Sequence, residues 1–442
     1  MLFTRKDLIK LIVPLIIEQI LAVTVGLTDG MMVVRAGEAA VAGVSLVDSI
    51  NILLIGLFGA MATGGAVVSS QLLGRKEESA ACKAGSQLII AVLSLSVVIM
   101  AAALIFGDFF LKLLYGDVGA DVMESSKIYF FYTAMSYPFI ALYNSSAALF
   151  RSMGNSKISM MVSVVMNVMH IIGNAILIFG FGMGVAGAAI ATLVSRIFAA
   201  IAMFLLLQNK KYPIHIESIQ SFRPDMAMIK RILNIGVPSG LENSVFQIGK
   251  ILVQGIIAGL GTSAITANAV AGNVGGFSTL PGSAIGLALI TVVGRCVGAH
   301  DFDGVKQYTI KLMKFAYTVM AVLNILLIFM VPYILKLYDL SSETANLASQ
   351  LMIYHFILAV LIWPTSFALP NALRAANDVK FTMWTSMISM WVWRIGFSYI
   401  LAIVLNMGVL GVWIAMTIDW LFRSIFFVTR FLQAKYRNVT VI

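Results

Sequence analysis

Charged side chains are scarce in this chain of 442 residues. They make up 11% of the sequence, whereas 60% of its residues are hydrophobic. Soluble domains carry about a quarter of their residues as charged side chains. The composition therefore excludes an ordinary soluble domain and indicates an integral membrane protein.

Cysteine and histidine are also rare, with two and four residues respectively. Cys82 and Cys296 fall near predicted cytoplasmic helix ends, where thiols stay reduced, so a disulfide framework is excluded. A metal site or a membrane enzyme would need histidines and acids clustered at ligand spacing. The four histidines are scattered, at His170, His215, His300 and His355. We therefore expect neither a resident cofactor nor an enzymatic activity.

Apolar runs long enough to cross about 30 Å of hydrocarbon, at about 1.5 Å per residue, recur from end to end. Lipid excludes open strands, and the runs are too long for barrel strands, so the fold class is an all-α integral membrane protein. The opening MLFTRKDLIK has no small-residue cleavage site, so we expect no removable signal peptide. We predict twelve transmembrane helices, at 8–34, 45–73, 84–107, 125–150, 158–180, 184–208, 227–258, 264–297, 307–333, 345–371, 381–404 and 408–433.

Lysine and arginine are distributed unevenly over the connections between these helices. The even-numbered connections and both tails hold most of them, including Arg151 and Arg374. The odd-numbered connections carry only Arg35, Lys112, Lys127 and Lys336. By the positive-inside rule we expect both termini to be cytoplasmic. Basic loops beside an anionic leaflet account for the net charge of +10 without nucleic acid, so membrane lipids are the expected partners.

The two halves of the chain are related by a shift of 224 residues. The shift lays VPLIIE, starting at Val13, on VPSGLE, starting at Val237, and MGVAGAAIA, starting at Met183, on MGVLGVWIA, starting at Met407. We predict two pseudo-symmetric bundles of six helices. Because six is even, the repeat is parallel, with its axis along the membrane normal. We place an N-terminal lobe at 1–208, a cytoplasmic linker at 209–225 and a C-terminal lobe at 226–442.

The repeat places Pro14 and Pro238 inside the first helix of each lobe. Each proline removes one backbone hydrogen bond and weakens its helix, which suits a helix that bends while the two lobes rock about their seam. Such rocking gives alternating access in many secondary transporters. The alternative is that proline is simply frequent in transmembrane helices and has no special role here.

Polar side chains inside predicted spans mark candidate sites, because an ionisable group in hydrocarbon is costly. Glu18 and Asp29 are eleven residues apart, so both lie on one face of the first helix, which we expect to point into one lumen. Together with Asp29, the candidate proton- or cation-coupling residues are Asn167, His170, Asn174 and Thr192 of the fifth and sixth predicted helices. The alternative for the fifth helix is packing between helices through polar side chains.

The second lobe does not copy this site, since Val253 takes the place of the aspartate and Arg394 that of the histidine. Arg394 is available to pair with Asp419 or Glu242, and Lys250 is equally available to Glu242, so the pairing stays open. The candidate substrate-binding or gating residues of the two lobes are Glu18, Glu242, Lys250, Arg394 and Asp419.

The chain resembles the multidrug and toxic compound extrusion family over nearly its whole length. The resemblance is carried by VVSSQLLGRKEE at the end of the second helix, ALFRSMGN after the fourth and NVMHIIGNAILIFGFGMGVAGAAIAT across the fifth and sixth. It implies a V-shaped fold that exports organic, often cationic or aromatic, compounds against inward proton or sodium flow. An ion gradient would replace a cofactor. We expect a monomeric, multi-pass protein of the bacterial inner membrane.

Family members with a cation site in the first lobe use an aspartate on helix 1, an asparagine and an aspartate four apart on helix 5, and a threonine on helix 6. Here Asp29 and Thr192 match this pattern, whereas the helix 5 positions are His170 and Asn174. Loss of one carboxylate weakens a sodium site but suits a lone aspartate that binds a proton. We therefore favour proton coupling. Sodium bound by Asp29, Asn174 and Thr192 is the alternative.

The alternative function is that of a flippase for a lipid-linked precursor. This function would need a basic cavity that grips a diphosphate, for which Lys250 and Arg394 are the candidates. The acidic pair Glu18 and Asp29 argues against such an anionic cargo. An antiporter is therefore the favoured interpretation.

Overall fold

A computed structural model describes residues 2–116, 118–216, 223–338 and 340–437. Within these ranges every regular element is helical, and no strand is found. A helix satisfies its own backbone hydrogen bonds, which is the requirement that lipid imposes on a spanning segment. The prediction of an all-α fold is therefore confirmed.

The described helices fall into twelve groups, one for each predicted span. Among the described residues, ten helices are long and apolar enough to cross a membrane. The helices α1 to α12 are Arg5–Ala36, Glu38–Gly74, Glu78–Tyr115, Ala120–Met135 with Tyr137–Ser152, Ser156–Gly180, Gly184–Leu207, Met226–Ala258, Thr262–Ser278 with Leu280–Gly298, Phe302–Lys336, Ser342–Ala375, Val379–Val404 and Gly408–Leu432.

Two of the predicted spans are broken in the middle. Helix α4 is interrupted at Ser136 and helix α8 at Thr279, and each second segment has a proline in its first turn, Pro138 or Pro281. Proline lacks a backbone N–H, so it fits the first turn of a helix but not its interior. The signal for both breaks therefore lies in the sequence. By contrast, α1 and α7 run through Pro14 and Pro238 without interruption.

Several helices contain π-helical turns. They occupy Ala175–Gly180 in α5, Pro364–Ala368 in α10, and Met390–Gly396 and Ile400–Val404 in α11. Such widened turns occur frequently at functional sites, where they redirect side chains. The segment in α5 begins directly after Asn174, and the first one in α11 contains Arg394, so both lie beside predicted site residues.

The chain divides into two compact units, one of residues 5–240 and one of residues 241–437 together with residues 2–4. The division falls inside α7, between Gly240 and Leu241. The predicted lobe boundaries at 208 and 226 remain a prediction. Of the predicted linker, residues 217–222 lie outside the described residues.

In the 5–240 unit, the start of α7 packs closely on α2. A Cβ atom on Gly64 would lie 2.5 Å from the backbone oxygen of Ile232 and 2.8 Å from the backbone nitrogen of Gly236. Small residues allow helix backbones to approach in this way in membrane proteins. Glycine at position 64 is therefore a steric requirement of this contact.

Asp225 fixes the first turn of α7. Its Oδ1 accepts hydrogen bonds from the backbone N–H groups of Ala227 and Met228, at 2.9 and 3.1 Å, and its Oδ2 lies 2.5 Å from Lys83 Nζ. The hydrogen bond from the Lys83 ammonium, supported by the N–H of Met228, holds the pKa of Asp225 below its ordinary value. The end of the predicted linker is thereby tied to α3.

Candidate ion-coupling site and substrate cavity

Helices α1, α5 and α6 bring four of the predicted coupling residues together. Asn174 Nδ2 donates to Asp29 Oδ1 at 2.6 Å, and His170 Nε2 lies 3.7 Å from the same oxygen. His170 Nε2 is also 3.0 Å from Thr192 Oγ1. These residues are up to 163 positions apart in the chain. The packing of α1, α5 and α6 brings them together at one site.

The hydrogen bonds around Thr192 fix the proton on His170. The Thr192 hydroxyl donates to the backbone oxygen of Ala188 at 2.9 Å, so its oxygen is left to accept from the His170 Nε2–H. Neutral His170 then carries its lone pair on Nδ1. The imidazole therefore presents an N–H, not an acceptor, on the side that faces Thr192 and Asp29.

Asn174 carries an unused acceptor beside the Asp29 carboxylate. The residue is fully buried, and its Oδ1 has no hydrogen-bond partner among the residues that the structure describes. Buried amide oxygens are nearly always satisfied, so an unpaired one at a candidate site requires an explanation. This oxygen is available to a proton carried by Asp29 or to a small cation.

Asn167, the fifth predicted residue, takes a different position. It is buried on the same face of α5 as His170, one turn earlier. Its Nδ2 donates to Ser163 Oγ at 3.4 Å, a contact within α5. Within the described part of the chain it makes no hydrogen bond to Asp29 or to the other residues of the site.

Two further charged side chains, Arg196 and Asp48, lie near Asp29. The sequence alone does not predict that they belong to this site. Arg196 lies one turn after Thr192 on α6, and its field reaches Asp29, Asp48 and His170. Its Nη1 donates to Ser136 Oγ at 2.7 Å, at the break in α4. The available signal was an arginine inside a predicted span, which marks a functional position.

Asp48 on α2 is the second of these side chains. Its Oδ1 accepts from Asn51 Nδ2 at 3.3 Å. The Tyr137 hydroxyl donates to Asn51 Oδ1 at 2.9 Å and extends the network to α4. The neighbourhood of Asp29 thus contains two carboxylates, one guanidinium and one imidazole.

Glu18 lies against α5, as Asp29 does, but forms an ion pair. Arg151 Nη1 is 3.3 Å from Glu18 Oε1, and Ser159 Oγ donates to Oε2 at 3.0 Å. The shared face of α1 is therefore packed on α5 instead of lining an open lumen. Glu18 therefore does not oppose an anionic cargo, because Arg151 supplies the opposite charge.

The second lobe repeats this ion pair. Arg374 Nη2 lies 2.7 Å from Glu242 Oε1, and Ser386 Oγ donates to the same oxygen at 2.6 Å. Neither Arg394 nor Lys250, the two partners considered from the sequence, holds Glu242. The sequence predicts that Arg151 and Arg374 lie in cytoplasmic connections. Long arginine side chains at helix ends can nevertheless reach back into the protein. Both arginines are largely buried.

Asp419 on α12 is the buried carboxylate of the C-terminal unit that contacts Arg394. It lies 3.6 Å from Arg394 Nη1 and 3.0 Å from Arg423 Nε, and it accepts from Ser389 Oγ at 2.5 Å. Of the open alternatives for Arg394, the pair with Asp419 is the one present. Arg423 was not anticipated, although it follows Asp419 by four residues and thus shares its helix face.

Lys250 and Arg394 line a cavity of about 370 Å³ within the 241–437 unit. A volume of this size accommodates a drug-sized organic molecule. The wall is formed by α7, α8, α10, α11 and α12. Its aromatic members are Phe246, His355, Trp363, Phe367, Trp413 and Trp420.

Comparison with known proteins identifies the family. A family model described as MatE matches residues 14–176 and 238–400, two matches whose starts are 224 residues apart, the same shift as the internal repeat. The chain is 30% identical to the uncharacterized transporter YisQ of Bacillus subtilis, covering 95% of this chain and 92% of that protein. It is 25% identical to the probable multidrug resistance protein NorM of Thermotoga maritima, covering 99% and 94%.

Solved structures share the fold. A crystal structure of MATE in the bent conformation superposes with a TM-score of 0.88 at 20% identity, covering 98% of this chain and 95% of that one. An outward-facing multidrug resistance MATE family transporter of the MOP superfamily gives a TM-score of 0.89 at 20% identity, with the same coverage. The predicted fold class of a two-lobed helical membrane protein is confirmed. Because the MatE model matches both halves of the sequence, this chain belongs to the family of multidrug and toxic compound extrusion transporters.

Proposed function

We propose that the protein is an antiporter that exports small organic compounds against an inward flow of protons, and that Asp29 binds the driving proton. The observation that carries this proposal is the part-buried Asp29–Asn174 contact of 2.6 Å with an unpaired Asn174 Oδ1 beside it. A carboxylate and an amide can exchange donor and acceptor roles when a proton arrives.

Asp29 differs from the other carboxylates of the predicted sites in its partners. Glu18, Glu242 and Asp419 each have an arginine nitrogen within 4 Å. Among the described residues, Asp29 has only the His170 imidazole at 3.7 Å and no lysine or arginine at that range. A carboxylate held by an arginine keeps its charge, whereas one held by an amide can lose it at lower cost. Among the carboxylates of the predicted sites, Asp29 is therefore the best candidate to change protonation during transport.

The surroundings of Asp29 favour a proton over sodium. A sodium site would use Asp29, Asn174 Oδ1 and Thr192 Oγ1, but Thr192 is already bonded to His170. Hard cations need several oxygen ligands, preferably more than one carboxylate. The nearby charge of Arg196 also opposes a second cation. A proton needs only one oxygen of Asp29 and one acceptor.

In the proposed mechanism, charged Asp29 accepts from the Asn174 amide N–H. Protonated Asp29 becomes a donor, and rotation of the amide offers it Oδ1 as acceptor. The change removes a charge between α1 and α5 and shifts the balance between conformations, while Pro14 lets α1 bend. The bound proton and the bound cargo favour different conformations, so the protein does not hold both at the same time.

The aromatic wall of the cavity in the 241–437 unit supports an aromatic cargo. A cationic cargo would need a free carboxylate in the cavity wall. None lines it among the described residues, and Glu18, Glu242 and Asp419 are each paired with an arginine. We assign the two repeated glutamate–arginine pairs to gating or to holding the helices in register. Lys250 and Arg394 line the cavity, as a flippase for a lipid-linked precursor would require, but the named relatives include probable multidrug resistance proteins, so we do not favour that cargo.

We also propose a monomer in a bacterial inner membrane with both termini in the cytoplasm. The asymmetric distribution of lysine and arginine supports this orientation. Alkaline phosphatase fused after residue 442 should be inactive in cells, because the enzyme folds only outside the cytoplasm. An active fusion would reverse the assignment.

Ion selectivity is tested with proteoliposomes loaded with ethidium or fluorescein, a cationic and an anionic aromatic dye. Dilution into acidic, sodium-free buffer imposes only a proton gradient, and dilution into sodium buffer at equal pH imposes only a sodium gradient. We expect dye efflux under the proton gradient alone. Efflux driven by sodium at equal pH would replace the proton with sodium.

A further inference from the structure

The cavity of the 241–437 unit has an unbalanced charge. Lys250 and Arg394 line it, and no carboxylate does so among the described residues. Lys250 has no carboxylate oxygen within 4 Å in the described part of the chain. Arg423 lies behind the wall, with its guanidinium 5.4 Å from the ring of Phe246 and 5.2 Å from that of Phe367.

Asp419 is the carboxylate that balances this group of cations. It serves both Arg423 and Arg394, at 3.0 and 3.6 Å, and it is completely buried. Glu242 is taken by Arg374 at 2.7 Å. Three cations therefore share one carboxylate, which leaves a net charge of about +2 around the cavity when all of them are ionised.

The wall also carries buried polar atoms without partners. Arg394 Nε and Trp420 Nε1 form no hydrogen bond among the described residues, whereas Arg394 Nη1 lies 3.6 Å from Asp419 Oδ2. Trp420 is 4% exposed, so solvent does not supply the missing acceptor. Unsatisfied buried donors are rare in folded proteins and mark places where a ligand or ion supplies the partner. Two acceptors, Asp419 Oδ2 and His355 Nδ1, are unpaired as well. Asp419 Oδ2 lies 3.6 Å from Arg394 Nη1, so Arg394 Nε and Trp420 Nε1 are the donors that remain for a ligand.

His355 adds an imidazole to the cavity wall, with one nitrogen bonded and the other left as an acceptor. Ser278 Oγ donates to the backbone oxygen of Gly275 at 2.8 Å and is 3.1 Å from His355 Nε2, so it accepts the Nε2–H. His355 Nδ1 is left without a partner in the described structure. The imidazole edge lies against Trp413 and Trp420, with ring centroids 5.5 Å away in both cases.

The aromatic residues give the cavity a preference for flat apolar groups. Trp363 and Phe367 are stacked with centroids 5.1 Å apart, and Trp413 is held by a 2.9 Å hydrogen bond from its Nε1 to Asn268 Oδ1. Such rings could also attract an organic cation. Lys250 and Arg394 repel a cation in the same space, so the charge of the wall decides between the two ligand classes.

We propose that this cavity binds an aromatic organic anion, with its carboxylate or sulfonate between Lys250 and Arg394 and its ring against the aromatic wall. Charge-assisted hydrogen bonds from these two side chains and from Trp420 Nε1 provide the recognition. This assignment deepens the proposed export function by naming the cargo class. Binding itself requires no ion gradient.

The test is equilibrium dialysis of the full-length protein in detergent against a matched set of ligands. 2-Naphthoate, 2-naphthylmethylammonium and 2-naphthylmethanol share one ring system and differ in charge, and inorganic pyrophosphate supplies anionic charge without a ring. We expect 2-naphthoate to bind at least tenfold more tightly than the other three ligands. Equal or tighter binding of the ammonium compound overturns the proposal. Equal or tighter binding of pyrophosphate overturns it as well, since the ring would then contribute nothing.

Lys250→Met removes the charge but keeps the length of the side chain. It should weaken 2-naphthoate binding about tenfold and change binding of 2-naphthylmethanol less than twofold, whereas Lys250→Arg should retain both. Lys336→Met, at the exposed end of α9, is the matched control and should leave all affinities unchanged. Unaltered 2-naphthoate binding by Lys250→Met overturns the proposal. Loss of export with intact binding would count against the antiport mechanism only.

Discussion

Arg151 and Arg374 determine what the buried glutamates of the two lobes can do. Each lies at the end of a helix, where the distribution of positive charge predicts a cytoplasmic loop residue, yet each reaches back to a glutamate. The sequence shows which carboxylates are buried, because they fall inside apolar runs. It does not show their partners, because an arginine side chain spans enough distance to serve several positions.

The pair formed by Glu242 and Arg374 gives a stability prediction. Arg374→Met should destabilise the protein by about 3–5 kcal/mol, since it leaves a buried carboxylate without its counter-charge. Thermal unfolding in detergent measures the loss. The double variant Glu242→Gln with Arg374→Met should recover most of it. A single variant as stable as the wild type would show that the pair is solvated and carries no structural role.

A second residue-scale prediction concerns Asn174. Asn174→Asp places a second carboxylate beside Asp29, at the helix position where the family resemblance implies an aspartate in a cation site. Two carboxylates suit a sodium ion better than one. Dye efflux driven by a sodium gradient at equal pH should therefore appear in this variant, with Asn167→Asp as control. No gain of sodium dependence would mean that Thr192 and Asn174 do not face a common ion.

At the scale of elements, hydropathy predicts where the helices are but not how they are broken. Every predicted span has a helix, because apolar length is the dominant signal in a membrane protein. The breaks at Ser136 and Thr279 follow from prolines in the sequence. The π-helical turns after Asn174 and around Arg394 contain no proline that would mark them in the sequence.

The contact between α2 and the start of α7 is tested with two glycines of one helix. Gly64→Ala should lower stability by about 1–3 kcal/mol, because the added Cβ meets the backbone oxygen of Ile232. Gly59→Ala meets nothing within 4 Å and should be neutral or stabilise by roughly 0.5–1 kcal/mol. Thermal unfolding of both variants in detergent measures the difference in stability. Equal melting temperatures would mean that the two helices are not in close contact in the membrane.

At the scale of the whole molecule, one duplicated scaffold carries two different chemistries. The 5–240 unit presents Asp29 with amide and imidazole partners, whereas the 241–437 unit presents cations and aromatic rings around a cavity. The 224-residue repeat predicts the shared scaffold, and the substituted positions predict that the chemistry diverges. The cavity itself was not predicted, because its wall combines residues from five helices whose packing a single sequence does not specify.

The most direct test of the account compares wild type with Asp29→Asn in proteoliposomes, using whichever of the two dyes the wild type exports. When the external buffer is acidic, the proton gradient should drive dye efflux by the wild type but not by Asp29→Asn. Exchange of dye across the membrane at equal pH should continue in the variant, because cargo binding and the conformational change remain. Asp108→Asn, an exposed aspartate that pairs with Lys127, should behave as the wild type does. Proton-driven efflux at the wild-type rate by Asp29→Asn would contradict the central claim that this carboxylate couples the proton to export.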